Sequence, residues 1–171
     1  VIYKNFMSVG NEPIEIYLNK FDKTLLTGKN GHGKSTMYLA LYWCLFGKTF
    51  DSSLNTNQII NSINNAKTEV RVKFNIGSIS YEVVRGLKPA KFEIYVDGQL
   101  KTQDATVRDY QKYLDTNILK MSSKTFQQIV ILGSKQYTPF MRLKAKERRS
   151  VIEDLLDIQY FSIMSDIVKK R

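Results

Sequence analysis

A glycine-rich segment at residues 28–35 carries the residue types that bind phosphate groups. It reads Gly-Lys-Asn-Gly-His-Gly-Lys-Ser and fits the pattern G-x-x-x-x-G-K-[ST]. Glycines allow successive backbone N–H groups to turn inward and form a concave anion nest at the start of a helix. The Lys34 ammonium can reach the outer phosphates of a nucleotide, and the Ser35 hydroxyl can ligate a bridging Mg²⁺ ion. The segment therefore predicts a nucleotide site in which Lys34 has a catalytic role and Ser35 is a metal ligand.

The elements predicted around this segment support the interpretation. Residues 13–18 alternate like a half-buried strand, and residues 24–27 form a short run of the fully buried strand type that Gly28 closes. Residues 34–46 lack helix breakers and stop at Gly47, which suits the left-handed position after a helix. Apolar side chains lie all around this predicted helix, so we expect it to be buried on several sides. Cys44, the single cysteine, is expected to be a small buried residue within it.

The only histidine, His32, lies inside the glycine-rich segment. One imidazole without a cluster of Cys, His or carboxylate groups does not make a transition-metal site. We therefore expect His32 to contribute mainly its backbone N–H group to the anion nest.

The rest of the chain predicts a β-meander followed by helices. Residues 69–76, 79–83 and 92–96 alternate with period two, and Asp97-Gly98 is a strong hairpin signal. A helix is predicted over about residues 104–114, and a buried strand at residues 129–132. A last helix begins at about residue 144 and has no stop signal before Arg171.

Composition limits the class of protein. The chain has 171 residues, of which 43% are hydrophobic and 25% charged, as in a globular domain and unlike a disordered or disulfide-built chain. Its 26 basic and 16 acidic residues give a net charge of +10, which favours a polyanionic partner. The longest apolar run is too short to cross a membrane, and the amino terminus lacks a signal-peptide layout. We expect a soluble, cytoplasmic protein with no membrane partner.

One basic stretch contains no acidic residue at all. It covers residues 116–146, and its basic members are Lys120, Lys124, Lys135, Arg142, Lys144 and Lys146. Of these, Lys120, Lys124 and Arg142 are our candidates for contacts to DNA phosphates, and the lack of a base-reading motif predicts binding independent of DNA sequence. A solvated face, or a surface for an acidic partner lobe, explains the same stretch.

Several segments carry the pattern of one known family: residues 3–8, the extended phosphate loop 28–36, residues 45–48, residues 59–62, and residues 126–133 continuing to 137–141. Together they resemble the structural-maintenance-of-chromosomes and SbcC class of DNA-repair ATPases, including its bacteriophage branch. The resemblance implies an α/β P-loop NTPase fold, namely the amino-terminal lobe of an ABC-type ATPase head with an antiparallel β-meander. It assigns residues 1–143 to the lobe and residues 144–171 to a carboxy-terminal helix leading toward a coiled coil.

The resemblance also implies a function. The chain would be the ATP-binding half of a repair and recombination ATPase that processes DNA double-strand ends, with ATP-driven closure and opening of paired heads. ATP and Mg²⁺ are the implied cofactors. The implied partners are a carboxy-terminal ATPase lobe, a second copy of the head, a nuclease subunit and double-stranded DNA, in the cytoplasm of a host cell. The implied nucleotide contacts are Asn30, Gly31, His32, Gly33, Lys34, Ser35 and Thr36.

Two positions depart from the pattern of this class. Met7 stands where many relatives have an arginine. The glutamine that helps to hold Mg²⁺ and the attacking water in relatives falls on Ser134, and Gln136 replaces it only if the loop path shifts.

Half of a hydrolytic site is missing from the sequence. A P-loop hydrolase needs an acidic residue at the end of an apolar strand. Residues 151–154 come nearest but lie in a helical pattern, and no Leu-Ser-Gly-Gly signature occurs. We therefore expect this chain to hydrolyse almost no ATP by itself. A small P-loop nucleotide kinase and a non-catalytic DNA-tethering module are the alternative functions.

Overall fold

The computed structural model describes residues 1–50, 54–102, 106–132, 138–156, 158, 164 and 168. The chain divides into two compact units, Val1–Asp104 and Ala105–Arg171. Within the described residues, no helix combines the length and apolar character needed to cross a bilayer.

The first unit is built on a six-stranded antiparallel sheet with the order β2-β1-β3-β4-β5-β6. The strands are β1 (Ile2–Lys4), β2 (Ile14–Glu15), β3 (Thr68–Ile76), β4 (Ile79–Leu87), β5 (Lys91–Val96) and β6 (Gln99–Leu100). Asp97 and Gly98 have φ angles of 48° and 79°, as a tight hairpin between β5 and β6 requires. The predicted meander and its Asp97-Gly98 hairpin are therefore confirmed.

Helix α1 (Thr36–Phe46) packs on β3 and β4, and all of its residues except Tyr38 are buried. The Cys44 thiol lies within hydrogen-bond distance of the carbonyl oxygens of Val70 and Val83, at 3.4 and 3.3 Å. Gly47 ends the helix with a φ angle of 67°, in the left-handed region. The predictions of a helix buried on several sides, a Gly47 end and a buried Cys44 are confirmed.

Two strand predictions in the first unit need correction. Residues 24–27 form no strand, and the side chain of Leu25 is 86% exposed. The predicted strand at residues 13–18 shrinks to the two residues of β2, which lies at the edge of the sheet. A short apolar run becomes a strand only where a neighbouring strand accepts its hydrogen bonds, and periodicity carries no information about that neighbour.

The second unit is helical in its described residues. It contains α2 (Val107–Tyr113) with a π-helical continuation (Leu114–Leu119), α3 (Ser123–Ile129), a 3₁₀ turn (Phe140–Arg142) and α4 (Ala145–Leu155). Helices α3 and α4 pack against each other. The predicted helix at about 104–114 is confirmed from Val107 onward, with Thr106 capping it by accepting a hydrogen bond from the Asp109 backbone.

The buried strand predicted at residues 129–132 is wrong. Ile129 is the last residue of α3, and the side chains of Val130 and Leu132 are 48% and 63% exposed. The Ser122 side chain accepts a hydrogen bond from the Thr125 backbone and so caps the start of α3. This helix ends at Ile129, the first residue of the apolar run. Only Ile129 of the predicted strand is therefore helical, and residues 130–132 form a turn after the helix.

The last predicted helix is interrupted. Helix α4 ends at Leu155; Ile158 lies outside helical structure, whereas Met164 and Val168 are helical. The division of the chain into residues 1–143 and 144–171 stays a prediction.

Candidate phosphate-binding site

The phosphate loop (residues 28–36) leads directly into α1, which begins at Thr36. Gly31 and Gly33 have φ angles of 87° and 78°, which place both in the left-handed region that favours glycine. The Thr36 N–H group donates to the Gly33 carbonyl at 3.0 Å and tightens the entry into the helix. The glycines therefore bend the chain at the helix start. The His32 N–H group, which we expected to line an anion nest, instead donates to the Lys29 carbonyl at 3.3 Å.

The Lys34 side chain folds across the loop. Its Nζ atom donates to the carbonyl oxygens of Gly28 at 2.6 Å and Lys29 at 2.8 Å. These two bonds tie the beginning of the loop to its end and hold the ammonium group within the loop. A bound phosphate would compete with both carbonyls for this cation, and a charge-assisted hydrogen bond to phosphate is the stronger interaction.

The Ser35 hydroxyl is placed at the start of the helix with no capping role. Ser35 occupies the N-cap position of α1, is exposed, and makes no side-chain capping hydrogen bond. Asn30, Gly31 and His32 are also exposed, whereas Thr36 is buried. The structure thus brings the predicted nucleotide-contacting residues together around one helix start.

The donor set fits magnesium bound together with a nucleotide. Within the described part of the chain, no three His, Cys, Asp or Glu residues cluster as metal ligands. Mg²⁺ is commonly held by few protein oxygens together with substrate phosphates and water. The Ser35 hydroxyl is the group that would hold such an ion in this loop.

A second loop lies beside the phosphate loop. The Oγ atom of Ser8 is 3.6 Å from the position that a Cβ atom on Gly33 would occupy. Asn61, which is buried, donates from Nδ2 to the carbonyl oxygens of Met7 and Val9, on either side of Ser8. Sequence reasoning used residues 59–62 only as part of a family resemblance, and no local pattern links Asn61 to Ser8.

The far end of α1 is anchored by a buried arginine that sequence reasoning did not single out. Arg85 is 8% exposed, and its Nε atom donates to the Cys44 carbonyl at 2.9 Å. Its guanidinium group lies 3.8 Å from the centroid of the Phe92 ring. A cation at this end of the helix complements the dipole whose positive end faces the phosphate loop.

The segment that most resembles the acidic strand motif of a P-loop hydrolase provides a helix cap instead. Residues 151–154 lie within α4, which confirms the helical pattern of the sequence. The Asp154 Oδ2 atom accepts hydrogen bonds from the Ser122 backbone at 3.1 Å and from the Thr125 hydroxyl. Asp154 therefore stabilises the start of α3.

The candidate DNA contacts lie in the second unit, where one lysine of the basic stretch pairs with a glutamate of α4. Lys120 and Arg142 are exposed, and the Lys124 Nζ atom is 3.2 Å from Oε1 of Glu147 on α4. The hydrogen bond from Lys124, with another from the Lys144 backbone, lowers the pKa of the Glu147 carboxyl from its usual value. The acid-free stretch in the sequence is thus partly neutralised in space. Ser134 and Gln136, the two candidates for the missing glutamine, lie outside the described residues.

A glycine-rich loop that opens a buried helix on a sheet is the arrangement of a nucleotide-binding domain of the P-loop class. The AAA domain family model matches residues 1–170, and the chain belongs to this family. It is 45% identical over 171 residues to exonuclease subunit 2 of Escherichia phage RB69, covering 100% of this chain and 30% of that protein.

Two further relatives extend the comparison. Exonuclease subunit 2 of Enterobacteria phage T4 is 42% identical over 169 residues, covering 99% of this chain and 30% of that protein. The SbcC component of the nuclease SbcCD from Staphylococcus aureus strain MRSA252 is 24% identical over 173 residues, covering 91% of this chain and 17% of that protein. These relatives confirm the predicted resemblance to the SbcC class and its bacteriophage branch. The chain spans 30% of the length of the two phage relatives.

Proposed function

We propose that this chain is the ATP-binding part of a DNA-repair and recombination ATPase that works with a nuclease subunit. The observation that carries the proposal is the phosphate loop, with the Lys34 ammonium held inside it and α1 beginning at Thr36. The relatives support the nuclease context, because they are named as subunits of an exonuclease and of the SbcCD nuclease. The chain would form the amino-terminal lobe of an ABC-type head.

Different groups of the phosphate loop contact different parts of the bound ATP. The His32 and Thr36 N–H groups donate to carbonyls of the loop itself, so the other N–H groups of residues 30–35 hold phosphate oxygens. Lys34 leaves the Gly28 and Lys29 carbonyls to bind the outer phosphates. Ser35 provides the protein ligand for Mg²⁺. When bound, magnesium supplies positive charge to the phosphate oxygens of the nucleotide. Ser134 or Gln136 would help to position the attacking water.

Hydrolysis needs groups from beyond this chain. Among the residues that the structure describes, the acidic residue of a P-loop hydrolase has no counterpart, since Asp154, the candidate from the sequence, is used as the cap of α3. We assign that acidic residue to a carboxy-terminal lobe, and the γ-phosphate contact across the site to a second copy of the head. Closure of two heads on ATP and opening after hydrolysis would then act on DNA ends in the cytoplasm of a host cell.

The experiment compares ATP turnover by the 171-residue chain alone and together with the carboxy-terminal lobe. We expect Mg²⁺-dependent turnover only with both lobes, and its loss in Lys34→Ala. Lys29→Ala is the matched control, because Lys29 contributes its backbone carbonyl to the contact with Lys34. Rapid turnover by the chain alone that Lys34→Ala abolishes would overturn the assignment of the missing acid to another lobe. Phosphate transfer to nucleoside monophosphates would instead identify a nucleotide kinase.

A further inference from the structure

We infer that Ser8 is a further phosphate-contacting residue of this site and that Asn61 is the residue that positions it. The inference rests on the proposed function, because it assigns a partner for the phosphates of the bound nucleotide. It adds a second loop to the site, distant in sequence from the phosphate loop and absent from the glycine-rich motif.

The turn that carries Ser8 is held from both sides by one side chain. The Asn61 Nδ2 atom donates to the carbonyl oxygens of Met7 at 2.9 Å and Val9 at 3.1 Å. The Asn61 Oδ1 atom accepts from the backbone N–H groups of Ile63 and Asn64, at 3.1 and 2.9 Å. Because carbonyls only accept and N–H groups only donate, this set of partners determines the orientation of the amide.

Backbone hydrogen bonds also hold the turn that carries Ser8. The Met7 N–H group donates to the Ile59 carbonyl at 2.6 Å, and the Val9 N–H group donates to the Phe6 carbonyl at 3.0 Å. Met7 has a φ angle of 51°, which a residue other than glycine adopts only where its surroundings hold it. The Ser8 main chain is therefore placed by the contacts of its neighbours.

The Ser8 hydroxyl is presented to the phosphate loop. Its Oγ atom and the Thr36 Oγ1 atom lie 3.6 and 3.5 Å from the same point, the position of a Cβ atom on Gly33. Ser8 is exposed, and no hydrogen bond from its side chain occurs among the residues that the structure describes. A hydroxyl is a good donor to a phosphate oxygen, and one held in place loses little entropy when it binds. Met7 has no donor in its side chain, so Ser8 is the side-chain donor that this turn offers.

The test measures the affinity of the complete protein for Mg·ATP. We expect Ser8→Ala to weaken binding about ten- to hundredfold, the effect of one hydrogen bond to a charged group, and Ser8→Thr to keep near-normal affinity by retaining the hydroxyl. Asn61→Asp removes both donors to the turn and should weaken binding to a similar extent. Because Asn61 acts through Ser8, the double variant should bind no more weakly than the weaker single variant.

Thr68→Val is the matched control for Asn61→Asp. The Thr68 hydroxyl donates to the Asn5 carbonyl at 2.8 Å, so its loss weakens the same buried network but leaves the Met7 and Val9 carbonyls bonded to Asn61. It should lower the Tm without changing the affinity. Normal affinity in Ser8→Ala, or additive losses in the double variant, would overturn the inference and leave the proposed function intact. Failure of the unmodified protein to bind Mg·ATP would overturn both.

Discussion

The Nε atom of Arg85 lies 2.9 Å from the carbonyl oxygen of Cys44, in the last turn of α1. Carbonyls in the last turn of a helix have no partner within the helix, and a buried one must find another donor. Arg85 provides that donor from β4, while its guanidinium stacks on Phe92 of β5. The helix that begins at the phosphate loop is thus fixed to the sheet at its opposite end.

Arg85→Met should therefore destabilise the protein by about 2–4 kcal/mol, because it removes a buried charge-assisted hydrogen bond and a cation–π contact. The measurement is the free energy of unfolding in denaturant. Arg71→Met is the control: Arg71 pairs with Glu82 at 2.7 Å but has 34% of its side chain exposed, and we expect a loss of about 1 kcal/mol or less. Equal losses in the two variants would contradict the anchoring role of Arg85.

The Cys44 thiol should be protected from modification in the folded protein. Burial is the main cause that raises the pKa of Cys44 to about 12, and the thiolate is the reactive form. At pH 9 an alkylating reagent should therefore modify Cys44 at the rate at which the protein opens, and at once in denaturant. A cysteine introduced at exposed Ser62 in Ser62→Cys provides the control, and should react within the folded state. Equally fast reaction at both positions would show that α1 is not held on the sheet.

The Asp154→Ala variant tests whether Asp154 has a structural or a catalytic role. It removes the acceptor for the Ser122 N–H group and the buried Thr125 hydroxyl, and should cost about 2 kcal/mol of stability in the second unit. Nucleotide binding by the folded variant should be unchanged. Glu153→Gln is the control, since Glu153 faces Arg149 at the longer distance of 3.9 Å and should matter less. Loss of ATP turnover at unchanged stability would instead make Asp154 a catalytic residue.

Reversal of Lys120, Lys124 and Arg142 to glutamate tests the proposed DNA surface. We expect weaker binding of the complete protein to duplex DNA of any sequence. The plot of log binding constant against log salt concentration should become shallower by about 2 to 3 in slope, because three phosphate contacts are lost. The control reverses three exposed lysines of the first unit, Lys23, Lys73 and Lys101, for the same change in net charge. An equal effect in both triple variants would show that net charge, rather than this surface, attracts DNA.

Local chemistry accounts for the parts of the fold that the sequence predicted correctly. The Gly47 end of α1 and the Asp97-Gly98 hairpin depend on left-handed backbone angles that few residues adopt. The alternation in the first half of β3 records which side chains face the core, because Thr68, Val70 and Val72 are buried and the residues between them are half-buried. Such features involve residues that are near neighbours in the chain, so their pattern alone is sufficient.

The two wrong strand predictions show where that reasoning stops. Residues 24–27 hold two leucines between threonines and residues 129–132 are all apolar, yet the first segment is irregular and exposed and the second begins at the end of a helix. Such short segments suit either outcome, and their surroundings decide between them. In the second segment, Ile129 belongs to the helix that the Ser122 cap starts, and the Ser122 backbone is itself bonded to Asp154 on α4.

The sequence by itself determined which chemical groups the phosphate loop carries, because the glycines, Lys34 and Ser35 lie within one short segment, residues 28–35, and act through one stretch of backbone. Only the tertiary structure decided what surrounds it. Asn61 reaches the Met7 carbonyl across 54 residues of sequence, and Arg85 reaches Cys44 across 41. Such contacts depend on how separate strands and loops are brought together, and hydrogen-bond geometry tolerates only a few tenths of an ångström. No spacing rule in the chain encodes that alignment, so the folded sheet and its helix determine it.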